Sequence, residues 1–229
     1  MKKYEITDIA HPDNPKLFRI RALVDIPSIG VTAGDLGGYV EGEHNLSHEG
    51  NCWVFGDACV SDNACVSDNA RVHGDACVSD NAQVFGDARV FGNTGVSNNA
   101  QVYGDARAYG DAQVYGDAQV FGDALVFDNS LIYGNAQVSG GARVFRSAHV
   151  HGNAQVFGKS FVSENAQVHG NAQVFGNAIV FGNSLIYGNA QVSGEARVTA
   201  KAHKNMKITS KWNEAAYLEW FFTHERQTA

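Results

Sequence analysis

The chain has few of the residues that break regular structure or crosslink it. Only 3 prolines and 4 cysteines occur among its 229 residues. The prolines, Pro12, Pro15 and Pro27, lie near the start, so every later residue keeps a backbone N–H donor. The cysteines form no CxxC pair, which argues against a disulfide framework and predicts a reduced, cytoplasmic protein.

Charge and hydropathy exclude two further classes of protein. The formal net charge is -7 and no basic run occurs, whereas a surface that follows a phosphate backbone needs clustered lysines and arginines. No stretch approaches the roughly 20 apolar residues of a membrane span, and no apolar segment follows the two lysines at the start. We therefore expect a soluble protein whose partner is neither a membrane nor a nucleic acid.

What the sequence has instead is a six-residue repeat that runs from Val54 to His203 without an insertion. In a typical unit, residues 84–89 (VFGDAR), position one is apolar, position three is mostly Gly, position four mostly Asp or Asn, and position five Ala. Gly accepts a positive φ, and Asn or Asp tolerates the left-handed region, so positions three and four predict a turn after a short strand. Position one is then predicted to point into the core.

The spacing of glutamines gives the number of units in one coil. Gln occupies position six at intervals of 18 residues, whereas the position-six residues between them vary. Three units therefore make one coil, and the repeat has room for about eight coils. The glutamines are Gln83, Gln101, Gln119, Gln137, Gln155, Gln173 and Gln191.

This unit closely resembles the hexapeptide repeat of left-handed parallel β-helices, which is aliphatic at position one and small at position five. The resemblance implies an all-β fold, a left-handed parallel β-helix of triangular section. Residues 34–41 (GDLGGYVE) and 45–54 (NLSHEGNCWV) further resemble the YdcK-like group of phage and prophage proteins, which is loosely labelled as transferases. That second resemblance implies a phage or prophage origin.

The start of the chain lacks the repeat and is predicted to cap it. Residues 1–39 contain two segments with alternating polarity, Tyr4–Thr7 and Phe18–Val24, separated by turn residues, which predicts a β-hairpin. Residues 40–203 are then predicted to form the solenoid.

The end of the chain, residues 204–229, is rich in aromatic residues and also lacks the repeat. We expect an α-helix of about 15 residues here, with Thr209 or Ser210 as its N-cap. This helix is predicted to cover the open edges of the last coil or to pack between subunits.

Position-two side chains are predicted to point outward, and the coil length aligns many aromatic rings into columns. Such columns stabilise parallel coils by stacking, but they also form apolar patches larger than a monomer usually exposes. The pattern therefore predicts a structural ladder and an oligomer or partner surface equally well. The predicted columns are Phe91, Tyr109, Phe127 and Phe145; Phe85, Tyr103 and Phe121; and Tyr115 with Tyr133.

Aspartates occur at position four only in the first half of the repeat, and no aspartate takes this position later, where asparagine is the usual residue. Asp87, Asp105 and Asp123 are predicted to stack along one edge of the solenoid. One interpretation is an acidic strip that docks a basic partner or mimics nucleic acid. The other is that Asp and Asn serve the same turn equally well.

Three histidines are weak candidates for a metal site. His149 and His151 flank an inward valine, and His169 lies one coil beyond His151, so their imidazoles share one face. The γ-class carbonic anhydrases have the left-handed β-helix fold that this repeat resembles, and in them three histidines bind zinc at a trimer interface. However, Phe, Tyr and Ser occupy the same position elsewhere in this chain, so these histidines also fit an ordinary ladder. We predict no metal.

Left-handed β-helices, which this repeat resembles, also include acyltransferases. In these enzymes a histidine acts as the catalytic base beside an acyl-CoA cleft between subunits of a trimer. That alternative assigns catalysis to His151 and acetyl-CoA as the cofactor. Such sites are usually completed by a loop that leaves the coils, and this repeat has no insertion to form one.

We therefore predict a non-enzymatic scaffold without a cofactor, a dimer or trimer that presents a rigid face to a protein partner and inhibits a host factor. The acyltransferase remains the alternative. The predicted partner-binding residues are Asp87, Asp105, Asp123, Phe91, Tyr109, Phe127, Tyr115 and Tyr133.

Overall fold

The computed structural model describes residues 2–203 and 205–224 of the chain. These residues form an N-terminal β-hairpin, a parallel β-solenoid and an α-helix, in that order. The predicted all-β fold with a hairpin at one end and a helix at the other is confirmed.

Each six-residue unit of the solenoid forms a short strand and a turn. The position-one residues point inward and the position-five alanines pack beside them, so Val84, Ala88 and Val90 are each 0% exposed. Valine suits the strand because its branched Cβ fits the extended backbone. Alanine suits the corner, because a larger side chain at a fully buried site would overpack the core.

The turn of each unit depends on the residue at position three, which has the left-handed conformation. Gly86 has a φ of 70° there, and other residues adopt the same conformation, as Asp62 does at 53° and Arg146 at 59°. The expectation that position four also enters this region is wrong for the described coils, in which every coil residue with positive φ is at position three. The position-four side chains instead bond between coils, since Asn135 Nδ2 donates to Asn153 Oδ1 at 3.0 Å.

Successive coils stack through three parallel sheets. Gln101 pairs with Gln83 on one side and with Gln119 on the other, which confirms the coil of 18 residues. Within the described residues each sheet contains nine coil strands, so the solenoid has about nine turns rather than the predicted eight.

The coil strands are almost all two residues long, and we name the three sheets after their contents. The hairpin sheet contains Cys59–Val60, Cys77–Val78, Gly95–Val96, Gln113–Val114, Leu131–Ile132, His149–Val150, Gln167–Val168, Leu185–Ile186 and Lys201–Ala202. The arginine sheet contains Trp53–Val54, Arg71–Val72, Arg89–Gly92, Arg107–Gly110, Leu125–Val126, Arg143–Val144, Phe161–Val162, Ile179–Val180 and Arg197–Val198. The glutamine sheet contains Cys65–Val66, Gln83–Val84, Gln101–Val102, Gln119–Val120, Gln137–Val138, Gln155–Val156, Gln173–Val174, Gln191–Val192 and Lys207–Ile208.

The N-terminal hairpin extends the hairpin sheet. Its strands β1 (Tyr4–His11) and β2 (Asn14–Ala22) are antiparallel, as predicted. A third strand, β3 (Leu36–Val40), pairs antiparallel with β2 and parallel with Cys59–Val60. This strand therefore converts the antiparallel cap into the parallel stack.

Two short 3-10 helices, Pro27–Ile29 and Glu43–Asn45, complete the N-terminal cap. Tyr4 is fully buried in this region and meets Trp53 edge to face, with ring centroids 6.3 Å apart. Its hydroxyl donates a hydrogen bond to the Leu46 carbonyl oxygen at 2.8 Å, so the polar end of the buried ring is satisfied.

The sheets continue past residue 203, where the repeat was predicted to stop. Ala202 pairs with Ile186, and Ile208 pairs with Val192, so partners in this last coil are 16 residues apart instead of 18. The corner before Ala202 lacks two residues of the usual turn. The six-residue frame therefore slips while the coil itself continues.

Helix α1 (Glu214–His224) follows the last coil. It begins after Asn213, whose Oδ1 accepts a hydrogen bond from the Ala216 N–H at 3.1 Å. The predicted N-caps Thr209 and Ser210 are therefore wrong. They follow the last strand of the glutamine sheet directly, and the N-cap role falls to the first capping residue after the coil ends.

The helix closes the C-terminal end of the solenoid. Trp212 forms a parallel bridge with Val198, and its Nε1 donates to the Lys201 carbonyl oxygen at 2.8 Å. Trp220 packs against the core. Trp212 and Trp220 thus make the contacts by which this segment covers the last coil, as the expected capping role requires.

Part of the predicted C-terminal segment, 204–229, lies outside the described residues, namely residue 204 and residues 225–229. Among the residues that the structure does describe, no helix has both the length and the apolar character that a membrane span requires.

Candidate binding faces of the solenoid

Two side chains point outward at each coil strand, on either side of the inward position-one residue: position six, which begins the strand, and position two, which in most coils directly follows it. Parallel pairing in register places the same position of successive coils side by side, as for Gln119 and Gln137. Each sheet therefore presents two columns of side chains to solvent. We call these outward surfaces the arginine, glutamine and hairpin faces, after their sheets.

The arginine face carries a basic column at position six. Arg71, Arg89 and Arg107 pair in register on successive coils, and Arg89 and Arg107 are exposed. Like charges at the strand spacing repel by about 0.9 kcal/mol in unscreened water, so an acidic group placed across the column would be favoured. The sequence interpretation missed this column, although the same 18-residue spacing that reveals the glutamines also reveals these arginines.

An aromatic column lies beside the arginines, at position two of the same face. Phe91, Tyr109, Phe127 and Phe145 stack with ring centroids 4.8, 4.8 and 4.9 Å apart and planes within 4° of parallel. This predicted column is confirmed as a ladder. The rings are half-buried because their faces cover one another, so their edges are what a partner would meet.

The predicted acidic strip borders this face. Asp87, Asp105 and Asp123 are exposed and lie at position four, one coil apart. Arg89 and Arg107 follow Asp87 and Asp105 by two residues, at the start of the next strands. The edge is therefore a mixed acidic and basic border, and not an isolated acidic surface.

Two other position-four aspartates take part in hydrogen bonds between coils. Asn93 Nδ2 donates to Asp111 Oδ1 at 2.8 Å, and Asn99 Nδ2 donates to Asp117 Oδ1 at 2.9 Å. These bonds have the same form as those between paired asparagines farther along the chain. At these two positions an aspartate thus accepts the same hydrogen bond between coils that an asparagine accepts elsewhere.

The glutamine face carries the predicted amide column at position six. Gln173 Nε2 donates to Gln155 Oε1 at 2.9 Å, and Gln191 Nε2 donates to Gln173 Oε1 at 3.1 Å. Beside it, Phe85, Tyr103 and Phe121 stack at 4.8 and 5.0 Å, as predicted. This face is uncharged along most of its length.

The hairpin face carries a longer aromatic column than the sequence interpretation assigned. Tyr115 and Tyr133 stack at 5.0 Å, and His151 and His169 continue the column at 4.6 and 4.9 Å. Tyr187 follows at 5.4 Å. The two histidines are therefore members of an aromatic ladder.

This stacking decides how the predicted metal and catalytic histidines are arranged. The rings of His151 and His169 are within 6° of parallel, so their nitrogen lone pairs lie in parallel planes and do not converge on one point. Burial lowers the pKa of both imidazoles, and the neighbouring histidines His169 and His149 lower that of His151 further. Among the described residues, no three His, Cys, Asp or Glu side chains form a group that could hold a metal ion.

Comparison with known families adds a match inside the coils. Residues 82–98, 100–116, 136–152 and 172–188 each match the family model described as the YdcK Beta solenoid repeat. These four segments, which together cover less than half of the chain, are similar to the YdcK solenoid repeat. Each matched segment spans nearly one coil, so the match concerns the repeating unit. No curated protein matches the chain significantly.

Proposed function

We propose that this YdcK-type solenoid is a non-enzymatic scaffold that binds a protein partner on its arginine face. The observation that carries the proposal is the register of two adjacent outward columns, one of arginines and one of stacked aromatic rings. Arginine and aromatic side chains are enriched at the centres of protein interfaces. A surface built on regular coils also loses little conformational entropy when it binds.

The charges of this face favour a particular partner. An acidic surface would lie opposite the arginine column, and hydrogen-bond donors or basic groups would lie opposite Asp87, Asp105 and Asp123. Tyr115 and Tyr133 lie on the hairpin face, so they would serve a separate contact. A second copy of the chain, in a dimer or trimer, is the occupant we propose there.

Further parts of the proposal rest on the sequence alone. They are left-handed coils of the hexapeptide type, a phage or prophage origin, a cytoplasmic location, the absence of a cofactor, and inhibition of a host factor. The acyltransferase alternative, with His151 as base and acetyl-CoA as cofactor, gains no support from the stacked environment of that imidazole.

Affinity capture with two matched variants tests the partner face. The variant Arg107→Gln with Tyr109→Ser alters the arginine face, and Gln101→Ser with Tyr103→Ser alters the glutamine face at neighbouring coils. Serine is tolerated at position two, as Ser163 shows. We expect a stoichiometric protein from host lysate to be retained by the glutamine-face variant and lost from the arginine-face variant. Equal retention by both variants would contradict the proposal.

A further inference from the structure

The aromatic column of the arginine face is interrupted at Ser163. Phe145 lies one coil before this serine and Phe181 one coil after it, at the same position of the repeat. The two phenyl positions are therefore two strand spacings apart, about 9.6 Å. Phe127 and Phe145 are only 4.9 Å apart, so one flat ring is missing from the ladder.

The missing ring leaves a slot in the surface. Phe145, Ser163, Ile179 and Phe181 are among the residues that line a cavity of about 240 Å³ here. One face of Phe145 stacks on Phe127, and the Arg146 guanidinium carbon lies over the ring, 5.9 Å from its centroid, so a phenyl ring and a guanidinium border this end of the slot. Ser163 is 6% exposed and forms part of the floor, so a hydroxyl lies at the base of an otherwise apolar gap.

The rim of the slot is charged. Arg146 donates a hydrogen bond to Glu164 at 2.7 Å, which neutralises these two side chains. Arg197 also lines the cavity, and within the described part of the chain it makes no ion pair. The rim therefore has a net positive charge.

A second cavity of about 580 Å³ adjoins the slot and shares Ile179 with it. Arg143 and Lys159 line this cavity, together with Glu195, which accepts a hydrogen bond from Asn177 at 2.8 Å. Two cations and one carboxylate again give a positive balance. A flat apolar slot thus lies beside a larger, positively charged space.

We propose that this pair of cavities binds a nucleotide, with the base between Phe145 and Phe181 and the phosphate near Arg197. A base in the slot would lie about one strand spacing from each neighbouring coil, the same separation as the rings of the ladder. The arginine supplies a charged hydrogen-bond donor for the phosphate. The slot lies on the same arginine face as the proposed partner surface, several coils after Arg89 and Arg107, and the proposal of a small-molecule ligand does not depend on that partner.

The glutamine face provides a matched control for this site. Ser139 interrupts the aromatic column there in the same way, between Phe121 and Phe157. The residues that correspond to Arg146, Glu164 and Arg197 are Gly122, Gly140 and Gln173, so the charges of the Ser163 rim have no counterpart at these three positions. A phenylalanine in place of either serine gives the column the same residue that lies one coil before and one coil after it.

The test titrates AMP into the full chain and measures binding by calorimetry or NMR. We expect Ser163→Phe to weaken AMP binding at least tenfold, because the added ring occupies the slot. Ser139→Phe should change it less than twofold. Arg197→Gln should weaken binding of AMP but leave binding of adenosine, which lacks the phosphate, unchanged.

Three outcomes would overturn the proposal. One is that the native chain binds no AMP at millimolar concentration, and another is that Ser163→Phe binds AMP as well as the native chain does. The third is concentration-dependent self-association that Ser163→Phe removes while AMP has no effect on it, which would assign the slot to a second copy of the chain. Arg197→Gln keeps the test valid even if the serine variant does not fold.

Discussion

The interior and the exterior of the solenoid differ in how much they vary along the chain. Inside, valine at position one and alanine at position five recur in nearly every coil and are fully buried. Outside, positions six and two change among Arg, Gln, Phe, Tyr, His and Ser, and each face has its own columns. The difference teaches that the coil keeps its shape constant while its surface changes from face to face.

The same difference sets the expected size of mutational effects. Burying a valine side chain is worth about 1.5–3 kcal/mol, whereas a stacked aromatic pair adds about 0.5–1.5 kcal/mol. Each exposed hydrogen bond contributes a similarly small amount, about 0.5–1.5 kcal/mol, to the unfolding free energy. Interior changes should therefore destabilise the coil most, turn changes less, and ladder changes least.

The largest effect is expected from a charge placed in the interior. Val120 is 0% exposed, so Val120→Asp would bury a carboxylate without a partner and cost at least about 3 kcal/mol of unfolding free energy. The control is Gln119→Asp, one residue earlier and outward, with an expected cost of about 0.5 kcal/mol. Urea unfolding followed by circular dichroism measures both. Equal losses would remove the distinction between inside and outside.

An intermediate effect is expected at the turn. Gly104 has a φ of 70°, and a Cβ there would lie 3.0 Å from the Gly122 nitrogen. Gly104→Val should cost about 2 kcal/mol or more, because a β-branched residue is strained in the left-handed region. Gly104→Asn should cost less than about 1 kcal/mol, since Asn98 adopts this conformation at φ 58°. Equal midpoints in urea would show that conformation at position three does not limit stability.

The smallest effect is expected from the histidines of the hairpin face. Burial lowers the pKa of His151 and His169 from the ordinary 6.5, so the folded chain favours neutral imidazoles. The unfolded chain then binds more protons as the pH falls. This stabilisation should be complete above pH 6.5 and disappear as the pH drops through the lowered pKa values.

Replacing both histidines with phenylalanine keeps the ladder and removes the titrating groups. We expect His151→Phe with His169→Phe to flatten the dependence of unfolding free energy on pH between about pH 7 and 5. Urea unfolding at several pH values gives this slope. An unchanged slope would show that these imidazoles are not protonated more readily in the unfolded chain.

The regular part of the fold could be predicted from the sequence because its signals repeat. Gln83 and its successors at intervals of 18 residues define the coil, and the same interval predicts the stacked column that begins at Phe91. Each coil repeats the residue pattern of the one before it, so many coils define the same register. The same interval separates Arg71, Arg89 and Arg107, so it also indicates the basic column that the sequence interpretation missed.

The irregular parts could not be predicted in the same way. The frame slips before Ala202 because two turn residues are absent, and no repeat remained there to show the new register. The helix begins after Asn213 because its side chain caps the Ala216 N–H, a choice among several polar residues in that segment. The slot at Ser163 exists because this coil has no aromatic ring at position two. The resulting cavity is recognised only once the neighbouring coils are stacked in space.

The central claim is that the interior holds the coil together and the outer columns carry its specificity. Two deletions test it most directly. Deleting residues 97–102 removes one repeat unit, and deleting residues 97–114 removes one full coil. Both keep every inward position in phase, but only the longer deletion keeps each outer column on its own face. The measurement is the unfolding free energy of both proteins in urea.

We expect both deletion variants to fold with the native β-sheet signal. The shorter deletion should lose more stability by about 1–3 kcal/mol, because it breaks ladder contacts on three faces. If removing residues 97–102 abolishes folding while removing residues 97–114 does not, the outer columns hold the coil together and the account is contradicted.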